Sequence, residues 1–336
     1  MGIIKSYGLR WRRRRLIWRA ISKRRQLRAL EDRTGQIGPS DILCFSTMRN
    51  ERPRLPHFLA YYRAQGVGHF LCVDNGSDDG TAEYLSGQED VSLWQTEAGY
   101  RQSRFGVDWL MGLQRRYGHG HWCLTVDADE FFVYPFCDTR PITALTDWLE
   151  ASGVRSFAAM LIDMYPKGDV NAQRLAEGQD PFEVAQWFDS ANYTLERNPE
   201  YRNLWIQGGP RARAFFADAP KQAPALNKIP LVKWDRRYAY VHSTHMLLPR
   251  GLNLTYAQDG GEKASGALLH AKFLPTLASR AAEEEARGQH YAGGREYAAY
   301  RASLDTSLDL WTEWSERYIN WRQLEILGLM SKGDWA

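Results

Sequence analysis

From about residue 41 onward, apolar and polar positions alternate between two rhythms. The runs "DILCFST" (41–47), "HFLCVDN" (69–75), "VSLWQT" (91–96) and "HWCLTVDAD" (121–129) are short, apolar and β-rich, which predicts buried strands. Between them, "RPRLPHFLAYYRAQG" (52–66), the stretch from the turn "GSDDGT" to about Leu85, and Phe105, Trp109, Leu113 and Tyr117 at four-residue spacing predict helices. Strands joined by helical crossovers imply an α/β fold: a mostly parallel, right-handedly connected, Rossmann-like sheet covered by helices on both faces. A fifth apolar run, "SFAAMLIDMYP" (156–166), is followed by a polar, weakly periodic stretch to about residue 205, expected to be an insertion or acceptor-side loop region. Short strand-like pieces return in "RARAFF", "KIPLVKW" and "YAYVHSTH", then "GALLHAKFL", after which the chain is expected to be helical. Trp311, Trp314, Tyr318 and Trp321 recur there at helical spacing, as a core stripe would. The expected organisation is a basic amphipathic segment (1–40), a main α/β domain (41–275) and a helical C-terminal extension packing on it (276–336).

Charge changes the picture at one end. The 336-residue chain carries a net +3, but eleven of its 43 Lys and Arg lie in residues 1–30, which contain no acid, so the rest is net negative. Trp11, Leu16, Ile17, Trp18 and Ile21 interleave with these arginines, a pattern suited to a helix lying on an anionic membrane surface. A solvated tail and a nucleic-acid arm are rival readings, nucleic acid being the least favoured. No segment approaches the roughly 20 apolar residues of a membrane span, and none reads as a secretory signal. The expected location is the cytoplasm, at the inner face of the membrane if residues 1–30 dock there. Cys44, Cys72, Cys123 and Cys137 form no Cys-x-x-Cys pair and read as reduced core residues.

The chemistry gathers at strand ends, where ligands of such sheets bind. In "LTVDADEFF" (124–132), strand alternation would turn Asp127 and Asp129 to one side and Glu130 to the other. Two converging carboxylates repel unless a hard divalent cation is shared between them, and Mg²⁺ or Mn²⁺ completes such a shell with waters and phosphate oxygens. The alternative is that these acids cap the turn after the strand. Neither G-x-x-x-x-G-K-[ST] nor G-x-G-x-x-G is present, so a diphosphate must be held in another way. Departure of a diphosphate builds negative charge that Lys272 and Arg104 can offset. An inverting transfer needs a carboxylate base. Asp163, closing the buried run "FAAMLIDMYP", is the first candidate because burial there should raise its pKa; Asp235 in "KWDRRY" is second. A cap on the turn before Pro166 is the plain alternative for Asp163. In "GGPRAR", Arg211 or Arg213 can contact phosphate or acceptor, unless the segment is only a tight turn. His242 and His245 in "HSTH" are three apart, a spacing that would suit metal ligands on a helix, but the surrounding Tyr and Val suggest a strand end, where they read as contacts to a bound substrate or acceptor.

The motifs "VDNGSDDGT" (73–81) and "TVDADEF" (125–131) resemble family 2 glycosyltransferases of the GT-A fold. Together with "MRNE", "SRFG", "GGPRAR", "KIPLVKW", "HSTH" and "LLHAKF" in this order, they resemble a bacterial subgroup of family 2-like enzymes related to family 92. The resemblance implies that Asp74 contacts the nucleobase, that Asn50 and Glu51 lie on the ribose side, and that Asp127 and Asp129 hold the cation. It also implies that His270 completes the metal shell, leaning the choice towards Mn²⁺. The implied activity is metal-dependent, inverting transfer from a nucleotide-sugar donor to a glycan or lipid-linked acceptor, as in cell-surface polysaccharide or lipopolysaccharide synthesis. A sugar nucleotidyltransferase, or a non-catalytic membrane-recruited nucleotide-binding module, are the alternative readings.

Overall fold

The computed structural model describes residues 3–257, 262–274 and 307–336. Its centre is a nine-stranded sheet made of β1 (Arg28–Glu31), β2 (Leu43–Met48), β3 (His69–Asp74), β4 (Val91–Gln95), β5 (Trp122–Thr125), β6 (Glu130–Val133), β7 (Ser156–Asp163), β8 (Asn227–Lys233) and β9 (Gly266–His270). Their order across the sheet is β1-β4-β3-β2-β5-β8-β7-β9-β6. The block β4-β3-β2-β5 is parallel, as the crossover pattern predicts. Beyond β5 the sheet becomes mixed: β8 runs antiparallel to β5 and β7, while β9 is parallel to β7 and antiparallel to β6. The expected α/β architecture, with helices on both faces, is present.

The two faces follow from strand alternation. Ile42, Cys44 and Met48 pack into one core with Phe58, Leu59 and Tyr62 of α2 (Leu55–Gln65). Leu43 and Phe45 pack into the other with Trp109, Met111 and Leu113 of α4 (Val107–Tyr117). Each such side chain, once fully buried, contributes on the order of 2 kcal/mol. The other helices are α1 (Ile3–Lys23), α3 (Thr81–Ser86), α5 (Ile142–Ala151), α6 (Gly209–Phe215) and α7 (Trp321–Ile326). All four cysteines are unbridged thiols.

Several expectations change. Residues 7–31 are not a solvated tail: α1 seats Leu9, Leu16 and Ala20 in the α4-side core, and β1 is an edge strand of the sheet. "RARAFF" is not a strand but lies mostly in α6, started by Pro210 in the first turn. "YAYVHSTH" supplies only a two-residue strand before it turns. The helical extension falls partly on residues 275–306, outside the described residues. From 307 to 320 the chain follows an irregular path with one short strand, Ser315–Arg317, so the aromatic spacing there does not mark a helix. Trp314 is exposed, whereas Trp321 opens α7 and is buried.

Candidate active site

A cavity of about 980 Å³ opens at the carboxyl ends of the parallel strands. Its walls include Arg49, Asn50 and Glu51 after β2, Arg104 before α4, Asp127 and Asp129 between β5 and β6, Glu130 at the start of β6, Arg211 of α6, Lys228 of β8, and His270 and Lys272 at and after β9.

The acidic cluster is shaped by a turn rather than by strand alternation. β5 ends at Thr125, Asp127 and Asp129 lie in the connection, and Glu130 opens β6. Helix α2 pins this connection: the Tyr62 hydroxyl donates to the Glu130 carbonyl at 2.7 Å, and Tyr61 and Gln65 donate to the Phe132 carbonyl at 2.8 and 2.9 Å. The Ala271 amide donates to the Asp129 carbonyl at 2.8 Å, tying the turn to the end of β9. Glu130 therefore does not turn away from the pocket. It is buried, accepts from the Asp127 amide at 3.2 Å and pairs with Lys228 at 2.7 Å.

Strand register assembles a second cluster one layer deeper. Because β9 lies between β7 and β6, His270 stands opposite Asp163 on one side and Glu130 on the other. Asp163 receives His270 Nδ1 at 2.6 Å and Arg211 Nε at 2.7 Å. His270 Nε2 then points at Asp129, 3.4 Å from its Oδ2. Arg54 approaches the same oxygen at 3.6 Å, and Lys228 lies 3.6 Å from Asp127. The buried register glycine, Gly266, permits this three-strand contact, since a Cβ there would fall 2.6 Å from the Val133 carbonyl.

These neighbours drive the protonation equilibria apart. The Asp127 side chain is 54 % exposed, but into the recess of the pocket, so desolvation and the charge of Glu130 push its carboxyl up to about 7 despite Lys228. Burial alone would also raise Asp163, yet Arg211 and His270 outweigh it and bring it down to about 2. Burial would lower His270 and Lys228; Asp129 and Asp163 raise the first, and Glu130 and Asp127 raise the second.

The expected base residues are corrected by this geometry. Asp163 carries a lowered, not a raised, pKa, and both its oxygens are engaged by cationic partners, so it orients His270 and Arg211 instead of accepting a proton. Asp235 does not line the pocket; Arg237 chelates it at 2.9 Å and holds it at about 2. Asp74 also lies behind the wall, where its carboxylate accepts from the Gly76 and Ser77 amides and from Gln95, and so organises the turn after β3. Asn50, at φ 52°, accepts from the Asp78 amide and brings the β2–α2 loop to that same turn, while Glu51 pairs with Arg54 at 3.3 Å. Arg104 lines the pocket and is braced by Asp108 at 2.6 Å. Arg213 instead pairs with Asp189, away from it.

Lys228 and Trp205 line the pocket, and Arg54 reaches Asp129 from behind its wall; none of the three is assigned a role by a sequence motif. Lys228 stood in plain view inside "NKIPLVKW": a lysine within a buried apolar run needs a carboxylate partner. Trp205 packs its ring against His245 and His242, with centroids 5.9 and 6.4 Å apart. Burial lowers the pKa of both histidines, and His245 contacts the Asn227 carbonyl at 2.5 Å, so the pair presents neutral rings.

Among the described residues, no three His, Cys, Asp or Glu side chains form a ready-made metal cage. The donors nevertheless fit a cation that takes its remaining ligands from phosphate and water. Asp163 fixes the His270 ring with Nε2 towards Asp129, the arrangement in which a carboxylate orients a metal-binding imidazole.

No family model matches the chain. Among solved structures, it is similar to a 4-diphosphocytidyl-2C-methyl-D-erythritol synthase, at 18 % identity, covering 42 % of this chain and 65 % of that one with a TM-score of 0.25. It is also similar to a protein assigned as a glucose-1-phosphate thymidylyltransferase from Bacillus anthracis, solved with sucrose, at 11 % identity, 78 % and 84 % coverage and a TM-score of 0.26. In sequence, 116 residues, 32 % of this chain, are 28 % identical to a glycosyltransferase family 92 protein of Arabidopsis thaliana, and the match spans about a fifth, 19 %, of that relative's length.

Proposed function

We propose that the chain is a glycosyltransferase that transfers a sugar from a nucleotide-diphosphate sugar to a glycan or lipid-linked acceptor. The observation that carries this reading is the convergence, at the carboxyl ends of the sheet, of two aspartates and an oriented histidine with Arg104, Arg211, Lys228 and Lys272 in one pocket. The similarity to a family 92 glycosyltransferase supports it.

In this reading Asp127, Asp129 and His270 hold Mn²⁺ or Mg²⁺, and the bound cation would offset charge on the departing diphosphate. Lys272 adds positive charge at the pocket wall, Arg211 is held there by Asp163, and Glu130 with Lys228 keeps the acidic turn rigid. Trp205, His242 and His245 offer an aromatic, uncharged wall for a sugar ring.

The test is nucleoside diphosphate release from a panel of nucleotide-sugars with and without Mn²⁺. Turnover with one donor that needs the cation and disappears in Asp129→Asn is the expected result. No turnover with any donor, or full activity in Asp129→Asn, overturns the assignment or the metal role respectively. Pyrophosphate release from a nucleoside triphosphate and a sugar phosphate would instead identify a nucleotidyltransferase.

A further inference from the structure

We propose that the outer face of α1 is a docking surface for an anionic lipid membrane. This goes beyond the transfer reaction and does not depend on it. At 3.6 residues per turn, Tyr7, Trp11 and Trp18 fall within about 40° of one another around the helix, and Leu9, Leu16 and Ala20 occupy the opposite side. The second set is buried against α4 and its neighbours. The first is exposed at 59, 61 and 70 % respectively, although these are among the largest apolar side chains of the protein. A helix whose inner face is fully used for packing has no folding reason to carry three aromatic rings in a row on its other face.

The charge around that row specifies the partner. Arg10, Arg14 and Arg15 flank it and are exposed, Arg14 reaches over the Trp11 ring at 5.8 Å, and no acidic side chain occurs in residues 1–30. Tryptophan and tyrosine rings bordered by arginines match the interfacial layer of a bilayer, where rings sit among headgroups and guanidinium groups meet lipid phosphates. Single-stranded nucleic acid also stacks on aromatic rings, but in grooves that track its backbone, and this row stands on a convex helix. The surface adjoins the pocket: Arg19 of α1 pairs with Asp108 at 2.6 Å, and Asp108 braces Arg104, which lines the cavity.

The test is vesicle flotation of the full chain with phosphatidylcholine alone and with an equimolar mixture of phosphatidylcholine and phosphatidylglycerol. Binding to the anionic vesicles only, weakened by salt and reduced about tenfold in Trp11→Ala/Trp18→Ala, is expected. Because both rings are exposed, the variant should keep the wild-type melting temperature and circular dichroism, which separates lost docking from lost folding. Donor turnover in solution, measured in parallel, should be unchanged, so failure here is distinct from failure of the transferase reading. Absence of wild-type binding, equal binding to neutral vesicles, or undiminished binding by the double variant overturns the proposal. So does tight binding of a mixed-sequence oligonucleotide that anionic vesicles fail to displace.

Discussion

The turn after β5 and the end of β7 each bring an aspartate to the close of a buried apolar strand, and their surroundings give the two carboxyls opposite properties. Asp127 opens into the pocket beside Glu130 and is pushed up to about 7; Asp163 is enclosed by Arg211 and His270 and falls to about 2. Burial acts in the same direction on both. The difference lies in what stands beside each group: a second carboxylate in the first case, two cationic partners in the second. The first arrangement is poised to accept positive charge from outside the chain. The second is already neutralised from within and serves as a frame.

The largest test of that division is Asp129→Asn, which replaces a pocket-facing carboxylate by a neutral amide of the same shape while Asp163 keeps its contacts to His270 and Arg211. Turnover should fall by about 10³-fold, roughly 4 kcal/mol of transition-state stabilisation, with a smaller loss of folding stability than Asp163→Asn, since Arg54 and His270 stand farther from Asp129 than Arg211 and His270 do from Asp163. Asp163→Asn should do the converse first: it leaves Arg211 buried without its counter-charge and costs about 3 kcal/mol of folding stability, read by urea titration. Asp163→Asn/Arg211→Met should recover much of that loss, since it removes both charges; no recovery would show that the pair is not a unit.

Lys228→Met should cost a similar amount, because Glu130 is buried, and should add an effect that Asp163→Asn lacks. Lys228 holds the Asp127 pKa down, so its loss should move the acid limb of the pH–rate profile to higher pH. An unmoved limb would break the link between Lys228 and Asp127.

Acid titration of stability sharpens the same comparison with opposite signs. Asp127, raised in the folded state, binds its proton first, so stability should rise slightly as pH falls below about 7. Asp163, lowered from 3.8 to about 2, contributes stability that is present above about 4 and lost as pH falls towards 2, about 2 kcal/mol in all. The smallest effect is expected from Asp235→Asn, whose partner Arg237 is exposed: under about 0.5 kcal/mol and no change in turnover. A large activity loss there would return Asp235 to the list of base candidates.

Much of the parallel half was legible beforehand. β2 to β5 are continuous apolar runs separated by helices of recognisable period, so their parallel direction and the location of a pocket at their carboxyl ends follow from local pattern and crossover geometry, whereas their order across the sheet does not. Asn50, Glu51, Arg104, Asp127 and Asp129 accordingly line one cavity, where Arg211, His270 and Lys272 join them from the mixed part of the fold. The role expected of Asp163 was not legible, because its raised pKa was inferred from burial alone, and the partner that reverses it, Arg211, lies 48 residues away in a segment read as a turn or strand. Alternation puts Glu130 on the wrong side because the strand that carries the alternation ends at Thr125.

By itself the sequence determined that an α/β sheet forms, which strands cross over in parallel, and that acids and basic residues would meet at its rim. These depend on periodicity and on the identity of neighbours a few residues apart. Only the tertiary structure decided which carboxylate faces the pocket and which is held by counter-charges, which basic residue neutralises which acid, and that α1 packs one face and exposes the other. Those outcomes depend on register between β6, β9 and β7 and on contacts between distant segments. The energy of a charge is set by what lies within a few ångströms in space, and adjacency along the chain carries little information about that.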